Sequence, residues 1–186
     1  MKKAVVSIML IVSVFLFVGC GGKSPSIYVV NPTPLKKESS KYYVKDLNVT
    51  LYHGHGRNIE NKTFSSEQEL QALFAKDIQA QLVTKKIFSK DGYGLSIAIE
   101  YTRTYNYGGN ALNKPQYIYT VKIYDSSNHT LLVNYSIPPS TTKYAYFEDA
   151  AVSLEIGLYQ WGAEDEPRDI DLISKTLVNE ISLLGN

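Results

Sequence analysis

Leu95-Ser96-Ile97-Ala98-Ile99-Glu100-Tyr101-Thr102 alternates apolar and polar residues without a break, so one face of this segment is apolar and the other polar. That period of two predicts a half-buried β-strand. After a loop containing Gly108-Gly109 and Pro115, the alternation resumes with Tyr117, Tyr119, Val121 and Ile123, which predicts a hairpin partner. Asp125-Ser126-Ser127-Asn128 supplies turn chemistry, and Leu131, Val133, Tyr135 and Ile137 form a third run that Pro138-Pro139 stops. Upstream, Leu47, Val49 and Leu51 alternate with Asp46, Asn48 and Thr50 as a further strand.

Between the first strand and this meander the period changes. Ser66-Glu67-Gln68-Glu69 has the pattern of a capping box, and Leu70, Leu73, Phe74, Ile78 and Leu82 follow on one helical face. Lys85 and Lys86 carry the charge favoured beyond a helix C-terminus. A second helix is expected from Pro167, with acidic Glu164-Asp165-Glu166 at its start and Ile170, Ile173, Leu177, Ile181 and Leu184 at helical spacing. In residues 140–164, Phe147 to Leu158 leans to helix behind Glu148-Asp149, although Val152, Leu154, Ile156 and Leu158 also alternate. The expected fold is α+β, a two-layer sandwich in the order β-α-β-β-β-α. About four mostly antiparallel strands would carry two helices on one face.

The other sheet face would then be open, carrying Ser96, Glu100, Thr102, Thr104, Thr120 and Lys122. Thr102, Thr120 and Lys122 are candidate partner contacts. Tyr105 and Tyr107, beside Gly108-Gly109, and Trp161 near Tyr159 are candidate aromatic contacts, with core packing the alternative for Trp161.

The N-terminus concerns location. Lys2 and Lys3 precede the apolar run Ala4–Val18, then Gly19 and Cys20, the sole cysteine of 186 residues. These are the parts of an export signal, and the run is too short to span a bilayer. The segment resembles the bacterial lipoprotein signal, which implies cleavage before Cys20 and covalent lipid on its sulfur. Gly21 resembles the outer-membrane default. Residues 1–19 are thus expected to be a signal peptide, 20–41 the lipidated cysteine and a flexible Pro- and Gly-bearing tether whose apolar island Ile27-Tyr28-Val29-Val30 could instead pair as an edge strand, and 42–186 one periplasmic domain. The membrane is the implied partner, through palmitate-type acylation, and no other cofactor is expected.

Composition narrows the function classes. Loss of Lys2 and Lys3 takes the formal charge from +1 to −1, which gives no electrostatic case for nucleic acid. His53-Gly54-His55 offers two imidazoles without an evident third ligand, so no metal is expected. The acids at 164–166 have a structural explanation in the helix dipole. No serine elbow, phosphate-cradling loop or cysteine–histidine pair is present, so no enzyme activity is expected.

The order of signal, tether, strand, capped helix, three-strand meander and terminal helix resembles the small outer-membrane lipoproteins of the YajG type. More distantly it resembles the lipoprotein subunit of the lipopolysaccharide translocon. The resemblance implies a non-catalytic envelope protein that binds or assembles with an envelope partner. The alternative is a carrier of a small apolar or envelope-derived ligand.

Overall fold

The structure, a computed structural model, describes residues 24–186. The expected signal segment, residues 1–19, and Cys20 lie outside the described residues. In chain order the elements are β1 (Ser26–Val29), β2 (Tyr42–His53), α1 (Glu67–Thr84), β3 (Tyr93–Arg103), β4 (Tyr105–Asn106), β5 (Ala111–Leu112), β6 (Gln116–Tyr124), β7 (Leu131–Ser136), β8 (Ser140–Thr141), α2 (Tyr146–Gly157) and α3 (Glu166–Ser182).

The fold is α+β. Its six-stranded mixed sheet has the order β1-β7-β6-β3-β2, with β8 also paired to β6, while β4 and β5 form a separate hairpin. The meander β3-β6-β7 is antiparallel, with Ile97 opposite Val121 and Val121 opposite Tyr135, so the apolar rows of three strands register across the sheet. β2 and β3 are parallel, because α1 carries the chain back between them.

A one-residue irregularity between Val44 and Asp46 decides which face of β2 is buried. Tyr42 and Val44 lie inward before it, and Leu47, Val49 and Leu51 after it, all packed on the same core. Without the extra residue, even and odd positions would point to opposite faces.

α1 starts as its sequence predicts. The Ser66 side chain accepts from the Glu69 amide and the Glu69 carboxylate accepts from the Ser66 amide. Leu70, Phe74, Ile78 and Leu82 of α1 and Ile170, Ile173, Leu177 and Ile181 of α3 are buried in one cluster with the inward rows of the sheet.

Three expectations are corrected. Among the described residues the sheet has six strands rather than about four, because β1 and β8 add short pairings that carry little alternation of their own. Among the described residues there are three helices where the expected layer held two: the segment that leaned to helix is α2, and it packs not on the sheet but onto a second, smaller cluster of Tyr105, Leu112, Val152 and Trp161. Over 26–41 the expected tether is packed on the domain, and the edge-strand alternative holds for its apolar island. Ile27-Tyr28-Val29 pairs with the free edge of β7, Leu35 is wholly buried, and Leu35 and Lys37 exchange backbone hydrogen bonds with Asn186. Gly185, at φ +119°, permits that approach, since a Cβ there would stand 2.5 Å from the Leu35 oxygen.

Candidate functional site

One face of the central strands is buried, and no helix among the described residues covers the other. On that second face, Thr102 lies opposite Gln116, Ala98 opposite Thr120, and Ser96 opposite Lys122. Ala98, Glu100, Gln116 and Lys122 are exposed, while Thr102 and Thr120 are partly so. Thr120 donates through its hydroxyl to Ser136 on β7 at 3.0 Å. Glu100, Thr102, Gln116, Ile118 and Pro139 line a shallow depression of about 110 Å³ beside β8. Thr102, Thr120 and Lys122 therefore share one face, at the register the alternation implies.

The buried polar chemistry lies where β3 ends. Arg103 occupies an inward position of that strand, and its Nε and Nη2 donate to the two carboxylate oxygens of Glu166 at 2.7 Å each; both residues are almost wholly buried. Nη2 also donates to the Ser65 carbonyl, and the Tyr101 hydroxyl donates to Glu166. One turn along α3, Asp169 accepts from Thr142 (2.7 Å), Tyr144 (2.8 Å) and the Trp161 indole (3.2 Å). Burial raises the pKa of Glu166 and of Asp169 even though these donors pull the other way. Each carboxylate is engaged by several donors. The arrangement fastens α3, β3 and the 142–161 segment together.

Above Arg103, an open pocket of about 350 Å³ is lined by His53, Arg57, Asn58, Glu67 and Tyr105, among others. His53 Nδ1 lies 2.7 Å from the Tyr105 hydroxyl. Burial first, and then the charges of Arg57 and Arg103, hold the His53 pKa below its ordinary value, which favours neutral imidazole at pH 7.

The structure distributes the other expected residues unevenly. Tyr107 is 64% exposed and stacks on Tyr159 at 5.1 Å. Tyr105 and Trp161 are not surface contacts. Trp161 is 0% exposed, edge-on to Tyr144 and beneath the Arg168 guanidinium, and Tyr105 packs on Phe64. Core packing took both because β4, β5 and α2 need an apolar centre of their own. His53 and His55 are both exposed, and no group of three or more His, Cys, Asp or Glu that could hold a metal occurs among the described residues.

Of the three acids at the start of α3, Glu166 does more than complement the helix dipole. It is the buried partner of Arg103, and the sequence held a signal for it: Arg103 continues the inward odd-numbered row of Leu95, Ile97, Ile99 and Tyr101. An arginine at that parity requires a buried anion.

No family model and no curated protein matches the chain. Among solved structures, it is similar to the PelC dodecamer from Paraburkholderia phytofirmans, at 10% identity over 87% of this chain and 99% of that one, TM-score 0.29. It is also similar to protein XCC0632 from Xanthomonas campestris, of the DUF330 family model, at 14% identity over 85% and 92%, TM-score 0.40. A third is a putative neuraminyllactose-binding hemagglutinin homolog from Helicobacter pylori, at 10% identity over 79% and 91%, TM-score 0.31. None of these three names is of the YajG type, and at such scores the likeness carries no argument about family or function.

Proposed function

We propose that the protein is a non-catalytic lipoprotein of the YajG type, anchored through Cys20 in the bacterial outer membrane. Its periplasm-facing, two-layer domain binds or assembles with an envelope protein through the open sheet face. The observation that carries this reading is the asymmetry of the sheet. α1 and α3 cover one face with a packed core, and the opposite face of β3, β6 and β7 presents small, uncharged and singly charged side chains with little to desolvate. The saturation of Glu166 and Asp169 by donors supports a structural use of the buried acids. A ligand carrier would need room between helices and sheet, which Phe74, Tyr101, Tyr119 and Ile173 fill.

The test is photo-crosslinking in cells with the full chain. Crosslinkers at positions 102 and 122 should capture the same envelope protein, Lys122→Glu should weaken the adduct at 102, and a crosslinker at Gln79, exposed on α1, should capture little. Equal or absent capture at all three positions would remove the docking face.

A further inference from the structure

α2 has two apolar sides. Val152 and Ile156 turn toward Trp161 and the second cluster. On the opposite side Phe147, Ala150, Ala151, Leu154 and Leu158 follow at i, i+3, i+4, i+7 and i+11, the spacing of a single helical stripe, and all five are exposed. Phe147 is 86% exposed, Leu154 64% and Leu158 56%; Tyr146, at 84%, packs edge-on against Phe147. Just past the helix the stacked pair Tyr107 and Tyr159 extends the exposed aromatic surface.

Where the chain enters says what covers this stripe. Ser26 is in register with Ser136, the last residue of β7, and from there the chain runs through Pro138-Pro139 and β8 into α2. The entry from Cys20 and the exposed helix therefore lie at the same end of the sheet. The residues from Cys20 to Pro25 span at most about 20 Å when extended, so a lipid on Cys20 holds this end close to a bilayer. Charge fits as well. Each acid on α2 has a cation near it: Glu148 and Glu155 stand 3.6 and 3.7 Å from Arg168, and Asp149 stands 2.6 Å from Lys114.

We propose that α2 is a lipid-contacting helix, its Phe147-Leu154-Leu158 stripe resting in the interface of a phospholipid bilayer as a second contact beside the acyl anchor. The helix is too short to span and lies in the plane. Two points of attachment fix the orientation of the domain, with the β3 C-terminal end toward the lipid and the open sheet face directed sideways and free. This rests on the Cys20 anchor of the proposed function.

The test uses the full acylated protein reconstituted into vesicles of phosphatidylethanolamine and phosphatidylglycerol, with an environment-sensitive fluorophore on Leu154→Cys. The Cys20 sulfur is blocked by acylation, so the label is specific. Emission at 154 should shift to the blue and be quenched by nitroxide lipids several-fold more than at Gln79→Cys. Phe147→Ser should reduce the quenching, and added salt should leave it unchanged. A water-like probe at 154 in protein that floats with the vesicles overturns the inference and leaves the anchor intact. Failure of the wild type to float overturns both. Shielding at 154 that grows with protein concentration and is not quenched by lipid would assign the stripe to a second copy, and the inference fails.

Discussion

Arg103 and Glu166 form the most demanding contact in the molecule, two charges taken out of water at the joint between β3 and α3. Burial is the largest influence on the Glu166 carboxyl and lifts its pKa despite the guanidinium beside it, so the desolvation cost is only partly offset. Removing one partner should then be much worse than removing both. Glu166→Ala is expected to cost about 3–5 kcal/mol by stranding the arginine. Arg103→Met with Glu166→Leu should cost less than either single change, as read from urea unfolding of the four variants. Additive losses would mean that the two charges act independently, against their geometry. The contact was half legible in sequence: strand parity places Arg103 inward. Its partner was hidden because Glu166 lies far along the chain, and an acid before a helix proline already has a local explanation.

At the scale of elements, legibility followed the start signals, a capping box for α1 and a proline behind acids for α3. α1 carries a complete capping box and its start was readable to the residue. α2, with Ala145 at its N-cap position and no side-chain cap, leaned to helix in sequence while its four alternating apolar residues left a strand open. The helix resolves that alternation by placing Val152 and Ile156 on one side and Leu154 and Leu158 on the other. The Glu69 carboxylate is held below its ordinary pKa by the Ser66 amide and then by the Ser66 side chain. A depressed carboxylate contributes stability above its unfolded value, about 4.3, and that contribution is lost as pH falls through the lower folded value. Glu69→Gln should therefore melt below the wild type at pH 7, and the gap should close at pH 3. A gap of the same size at both pH values would show that charge plays no part in the cap.

For the molecule as a whole, the α+β class, both long helices and the meander could be read from periodicity. The short strand β8 and the second cluster could not, because a two-residue pairing and a local apolar centre depend on contacts distant in sequence. The tyrosines show the same division. Fifteen tyrosines fit half-buried strands that keep their hydroxyls wet, yet in the fold Tyr101 donates to Glu166, Tyr119 and Tyr135 to Glu180, and Tyr144 to Asp169. Tyr42, Tyr101, Tyr117, Tyr119 and Tyr135 are all buried. Burial is the first cause that raises each of their pKa values, to about 12 for Tyr42, and neighbouring carboxylates raise those of the other four further. Unfolded tyrosine loses its proton near 10 while these remain protonated in the fold, so their contribution is complete below pH 10 and declines above it. Five such groups give a slope of about 7 kcal/mol per pH unit, against a typical total stability of about 5–15 kcal/mol. The domain should unfold cooperatively within one to two pH units above 10, and the buried tyrosines should ionise only in that transition. Tyrosinate absorbance and far-ultraviolet circular dichroism followed together should show a late absorbance step coincident with loss of structure. Smooth ionisation of all fifteen near pH 10 with the dichroism unchanged would mean that these rings are open to solvent, and the packing of the sheet against α1 and α3 would be wrong.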